Sequence, residues 1–246
     1  LGAGLMVLTA LALVQDNLTR LIDRSLPARA PQYFFLDIQP DQVPVFDRLA
    51  AEAVGPENLA RMPTLRGRIR ALNGQVIDEA DVVERERWAI RGEVGMSWSA
   101  EMPEGTRLTE GSWWPADYAG PPLVSIDDEL ARGMGAKIGD RLDVLVLGRT
   151  ITVEIANLRR IEWLDLSLNF VMVLSPGALA GAPATHIATV SGDPAAAEGL
   201  MVEVTDRFPN VSAVSVGDAV RQAGALIEGV AGAVRITAIA VLAAGA

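Results

Sequence analysis

The residue types that could carry out chemistry are few and scattered. Ser125, Asp127, Asp128 and the lone His186 supply the hydroxyl, carboxylates and imidazole of a nucleophilic triad, whose base must lie within hydrogen-bond reach of the hydroxyl. No Gly-x-Ser-x-Gly elbow surrounds Ser125, and its spacing to His186 fixes no geometry. With no cysteine and one histidine, a Cys-ligated zinc site, a thiol nucleophile and a multi-His metal centre are excluded. The stretch from Gly133 to Asp140 is glycine-rich, but it lacks the Gly-Lys-Ser/Thr order that sets a lysine and a metal-binding hydroxyl together at a helix start. No catalytic, cofactor-binding or metal-binding residue is therefore assigned, and the chain does not hydrolyse ATP by itself.

Three further groups have a bland reading beside a functional one. Arg66, Arg68 and Arg70, with Arg61 just before, could clamp a carboxylate or phosphate. The mixed-charge block Asp78 to Arg91 follows, so solvated pairing across a sheet is the favoured reading. Trp113, Trp114 and Pro115, with Tyr118, Pro121 and Pro122, form an aromatic and proline-rich stretch that packs over a sheet edge or faces lipid or a partner. Glu228 and Arg235 are seven residues apart, two turns along one helix face. A net charge of −10 argues against a grip on a phosphate backbone, so no nucleic acid is expected as a partner.

The elements that must position these residues read as mixed α/β. Aromatic and β-branched residues from about Gln32 to Ile38 suit a strand. Asp41 then reads as an N-cap for a helix with Val43, Phe46, Leu49, Ala50 and Ala53 on one face, ended by Gly55 and Pro56. From Leu65 to Leu72 alternation puts the three arginines on one face and Leu65, Ile69 and Ala71 on the other, ahead of an Asn73-Gly74 turn. The strand, helix, strand order returns with His186 to Val190, a helix opened by Asp193 and Pro194, and Val211 to Val216. Between them, Val124 to Leu130, Leu142 to Leu147, Thr150 to Ile155 and Asn169 to Leu174 read as short elements, with Gly148 and Arg149 turning a hairpin. The economical architecture is α+β: a split ferredoxin-like βαβ/βαβ domain with an inserted β-rich subdomain.

Both ends of the sequence are more apolar than its middle. Leu1 to Val14 carries no charge, and Gly229 to Ala246 is interrupted only by Arg235. Each run is shorter than the roughly 20 residues a span needs, which reads as truncated membrane helices flanking an acidic middle. Such a middle is unlike a cytoplasmic loop under the positive-inside tendency.

A family resemblance rests on particular residues. Val124 to Ala131, followed by Met134 to Leu142 with its Gly139-Asp140 turn, resembles the "strand, Leu-Ala, Leu-Gly-x-x-x-Gly-Asp" segment in extracytoplasmic domains of MacB-type and FtsX-like ABC transporter permeases. Leu65 to Gly74, Asn157 to Trp163, Leu168 to Gly177 and Gly181 to Val190 are similar to one branch, the YbbP-like permeases. The likeness runs over most of Gln32 to Val216.

That resemblance implies a division and a role. Residues 1–22 would end one transmembrane helix, 29–100 and 184–217 would be the halves of a periplasmic porter-like domain, 101–183 the inserted subdomain, and 218–246 the start of the next helix. The chain would sit in a bacterial inner membrane with residues about 23–222 in the periplasm. It would couple helix motion, driven by a cytoplasmic ABC-type ATPase, to export or handling of hydrophobic or lipid-like cargo. The implied partners are that ATPase, a second permease copy or homologue, membrane lipids, and a hydrophobic cargo or periplasmic protein. The alternative from another class is the ligand-sensing periplasmic ectodomain of a two-helix membrane receptor.

Overall fold

The computed structural model describes residues 30–161 and 166–222. In chain order its strands and helices are β1 (Tyr33–Ile38), α1 (Val43–Val54), β2 (Leu59–Leu72), β3 (Gln75–Val76), α2 (Trp88–Arg91), β4 (Val94–Trp98), β5 (Arg107–Gly111), β6 (Leu123–Asp127), α3 (Asp128–Gly133), β7 (Arg141–Val146), β8 (Arg149–Arg160), β9 (Met172–Leu174), β10 (Thr185–Val190), α4 (Pro194–Arg207) and β11 (Ser212–Ser215). The fold is a mixed α+β arrangement with many strands and few helices. Residues 216–222 are also helical. The membrane-helix readings of 1–22 and of the stretch after 222 lie outside the described residues. Among the described residues no helix is long and apolar enough to cross a membrane.

The first part of the fold is an antiparallel sheet in the order β11, β1, β10, β2. An irregularity in β1 between Phe35 and Ile38, where Asp37 takes a φ of 63°, brings both residues to one face although they are three apart, and there they meet Phe46, Leu49 and Ala50 of α1 and Ala197, Leu200 and Val204 of α4. Pro194 stands in the first turn of α4, and the Asp193 carboxylate accepts from the Ala196 N–H at 2.9 Å, so this helix start forms as the residues require. At α1 the reading was one residue off: the cap is Gln42, not Asp41, and its side chain makes no cap bond. Pro44 occupies the second helical position and brings no N–H for a cap to satisfy.

The second part closes on itself. β2 pairs β4, β4 pairs β9, β9 pairs β6, β6 pairs β8, β8 pairs β7, and β7 returns to β2. Two of these pairings, β4 with β9 and β6 with β8, are parallel. Ile69, Met96, Val124, Ile126, Leu142, Val144, Val153, Ile155 and Met172 fill the interior, as expected of a small barrel. Gly67 faces Val94 on one side and Val146 on the other, so β4 and β7 flank β2 there. A Cβ at Gly67 would lie 2.6 Å from the Met96 sulfur and 3.0 Å from a Val144 methyl, so only glycine leaves room for the interior.

β2 is common to both parts: its first half pairs β10 and its second half enters the ring. Two of the ring's strands, that second half and β4, therefore come from residues before 101. A third apolar cluster seals the two parts together. Phe34, Met62 and Ile187, on the sheet face away from the helices, meet Trp114, Leu168 and Phe170 and the outward-facing Val173 and Leu123.

Candidate functional site

The triad residue types are dispersed by the fold. Ser125 lies in β6 between Val173 and Asn157, fully buried, with no hydrogen bond to its Oγ. Asp127 caps α3 by accepting from the Glu129 and Leu130 N–H groups at 3.1 and 3.0 Å. Burial pushes its carboxyl above the ordinary value, against the pull of those N–H groups. Asp128 is buried and ion-paired to Arg132 at 2.8 Å and to Arg160 at 3.6 Å. His186 belongs to the other part, in β10, where the Arg61 guanidinium lies 2.7 Å from its Nδ1. Arg61 also holds Asp47 of α1 through two bonds of 2.8 and 2.9 Å. The nucleophile type and the base type thus lie in different parts of the fold with different neighbours, outside hydrogen-bond reach of one another.

That Asp47–Arg61–His186 chain was not foreseen. Its Nδ1 faces a permanent donor, so the imidazole carries its proton on Nε2 and is neutral. Burial, and then the Arg61 charge, hold His186 below its ordinary value, with Asp47 pulling the other way. The signal available beforehand was weak: Arg61 and His186 are 125 positions apart and meet only through β2–β10 register.

The arginine stripe stands as the alternation predicted, with Arg66 and Arg70 exposed and Ile69 and Ala71 buried. Its partners differ from the expectation. Arg66 reaches Glu93, whereas the Asp78–Arg91 block pairs largely within itself, Arg91 on Glu79 and Arg85 on Glu86, with Arg85 also on Glu129. Arg68 and Arg70 form no ion pair among the described residues. Trp113 and Trp114 do not form an outward patch: Trp114 is buried, its indole N–H donates to the Ser99 carbonyl at 2.9 Å, and Trp113 donates to Ala100 at 3.0 Å. The Gly133–Asp140 loop is a brace. The Asp140 carboxylate accepts from the Lys137 N–H and from the Asn73 amide, and Asn73 in turn accepts from the Arg141 N–H. The Gly-Asp turn thereby ties the tip of the β2–β3 hairpin to the start of β7.

What the fold does build is a cleft between its two parts. It has a volume of about 350 Å³ and is walled by the start of β2, by Thr189 and Ser191 at the end of β10, by the loop Ser99 to Glu104 and by Leu166, Ser167 and Leu168. Leu166 takes a φ of 58°, which bulky L residues seldom adopt. The two tryptophan N–H donors pin the Ser99–Glu104 loop at its root. On the cleft's wall Arg61 is committed elsewhere, to Asp47 and His186.

A fully buried cation was also missed. Arg159 of β8 has no exposed surface, donates to the Phe170 carbonyl, and leaves its Nε and Nη1 without partners. Desolvation lowers its guanidinium to about 10, with Asp127 opposing. The expected strand stopped at Ile155, but β8 runs on to Arg160, and that extension carries Arg159 inside. Among the described residues no group of three or more His, Asp or Glu side chains is placed to hold a metal ion.

No protein-family model matches the chain. An uncharacterized ABC transporter permease, YbbP of Escherichia coli (strain K12), is 26% identical over 219 residues, which is 88% of this chain. The chain is a relative of an ABC transporter permease. It spans only 26% of that protein's length, and the relative is a transporter component rather than an enzyme. A crystallised domain assigned to a permease protein of Porphyromonas gingivalis covers 76% of this chain and 83% of its own, at 15% identity and a TM-score of 0.38. A superposition that loose carries no argument about the fold.

Proposed function

We propose that the chain is the extracytoplasmic domain of an ABC transporter permease subunit in a bacterial inner membrane, carried between two transmembrane helices. The sheet β11-β1-β10-β2, with α1 and α4 on one face, is then a split ferredoxin-like, porter-like unit interrupted by the barrel. Beside the permease relationship, one observation carries this reading. The two ends of the described chain leave the fold side by side: Tyr33 pairs with Ser215, and the Val216 N–H donates to the Gln32 carbonyl at 3.0 Å. Apolar runs precede the first point and follow the second. Two membrane helices entering at neighbouring strands would pass any relative motion directly into this sheet.

In this reading a separate cytoplasmic ATPase drives the helices, a second permease copy or homologue completes the membrane unit, and the domain transmits the motion to handling of a hydrophobic or lipid-like cargo. The test is ATPase turnover of a nucleotide-binding subunit co-purified with the full-length permease in lipid, with and without residues 32–216. Co-purification with turnover altered by the deletion is the expected result. A folded full-length protein that associates with no ATPase would overturn the reading and leave the receptor ectodomain in its place.

A further inference from the structure

We propose that the Asp47–Arg61–His186 chain is a pH-sensitive latch on the joint between the two parts of the fold, closed around a neutral imidazole and opened when His186 takes up a proton. The latch sits where β2 leaves the first sheet. His186 is paired with Pro63, and at Leu65 β2 begins its pairing with β4 of the ring. Backbone support is thin there. Pro63 brings no N–H to the ladder, and β1 is irregular up to Ile38, the other register partner of His186. Side chains alternate across these strands, so the latch and the apolar seal lie back to back. Arg61 and His186 meet on the side of α1, whereas Met62 and Ile187, a register pair beside them, belong to the seal with Trp114 and Phe170.

Protonation reverses the contact. The neutral ring accepts at Nδ1 from the Arg61 guanidinium at 2.7 Å. An imidazolium has donors on both nitrogens, and the guanidinium keeps its charge, so donor would face donor and cation would face cation. Arg61 does not yield, because both oxygens of Asp47 hold it, at 2.8 and 2.9 Å. The half-buried imidazole is the member that turns out, and β10 loses its side-chain tie to β2 and α1. The elements packed closely on β10 are β1, β2 and α1. The charges acting on the ring are Arg61 of β2 and Asp47 of α1. β1 presents the apolar Ile38, and the Asp37 carboxylate next to it accepts from the Gln39 amide at 3.0 Å. Burial and then Arg61 oppose proton uptake while Asp47 favours it, so the latch is closed at neutral pH and opens as pH falls below 6.5. The latch holds whatever the chain's role; only the source of the acid, the medium outside the cell, rests on the permease reading.

The experiment uses the full-length subunit in lipid nanodiscs at pH 7.5 and 5.5, in a background free of other cysteines. Spin labels at Val202→Cys on α4 and Val76→Cys on β3, both exposed positions, report the distance between the two parts by double electron–electron resonance. Hydrogen exchange of peptides covering 59–66 and 185–190 reports the joint itself. At pH 5.5 the distance distribution is expected to broaden, and both peptides to exchange about fivefold faster than in His186→Gln at the same pH, the factor that one net hydrogen bond supports. Glutamine accepts from Arg61 at either pH and should keep the narrow distribution. His186→Lys, charged throughout, should show the broad one at pH 7.5 as well. Equal broadening in the wild type and His186→Gln would overturn His186 as the origin. A wild-type distribution unchanged between the two pH values would overturn the latch, even if the peptides exchange faster, since that is fraying of β10 alone.

Discussion

At the scale of single residues, buried charge dominates. Arg159 keeps a cation inside with one hydrogen bond and two idle nitrogens, a state that costs several kcal/mol of desolvation in general. Arg159→Met retains the length and drops the charge. It is expected to raise the unfolding free energy by about 1 to 3 kcal/mol in urea titrations, and a loss of stability would show that the guanidinium is satisfied after all. His186 gives a pH dependence of definite sign. Its folded value lies below the ordinary 6.5, so the unfolded chain takes up the proton first. The stability of the neutral form is complete above that value and is lost as pH falls through 6.5 toward the folded value. The drop in urea midpoint between pH 7.5 and 5.5 should shrink in His186→Gln, and an identical drop in both proteins would rule out this origin. Neither residue was legible beforehand as what it is. Which charges are buried depends on strand length and register across more than a hundred positions.

At the scale of elements, local rules were readable where local physics decides. The alternation in β2, the Asn73-Gly74 turn with φ of 52° and 78° and the Asp193 cap all follow from side-chain chemistry within a few residues. The β7–β8 turn shifted by one, onto Leu147 and Gly148, where positive φ of 48° and 78° makes the tight turn that two-residue hairpins favour. Ring closure was not readable, because the parallel pairings of β4 with β9 and β6 with β8 join segments far apart in the chain and leave no local mark. Asp193→Ala should cost about 1 kcal/mol, seen as a lower urea midpoint with unchanged slope. Two glycines make a sharper test. Gly67→Ala pushes a methyl into the filled barrel and should cost about 1 to 3 kcal/mol. Gly111→Ala should cost at least as much, since φ is 79° and its Cβ would sit 2.6 Å from the Ala156 carbonyl oxygen, a backbone atom with nowhere to go.

At the scale of the whole molecule, the repeated strand, helix, strand order announced a unit built from both ends of the described chain. What it did not announce is how little the intervening part resembles a removable insert. Replacing residues 101–183 by a short linker would strip β4 of β9, strip β2 of β7 and uncover Phe34, Met62 and Ile187. The shortened protein is expected to aggregate or lose cooperative unfolding on size-exclusion and thermal melts, and a monomer with a single sharp transition would show that the first sheet stands alone. The neighbouring exits carry one more consequence. A force that draws Tyr33 and Ser215 apart would load the β1–β11 ladder one rung at a time, the way a zipper opens, and such a ladder yields under small loads. The four paired positions there act as a mechanical fuse: drawing the two chain exits apart by more than a rung or two would begin to unzip the sheet from its edge.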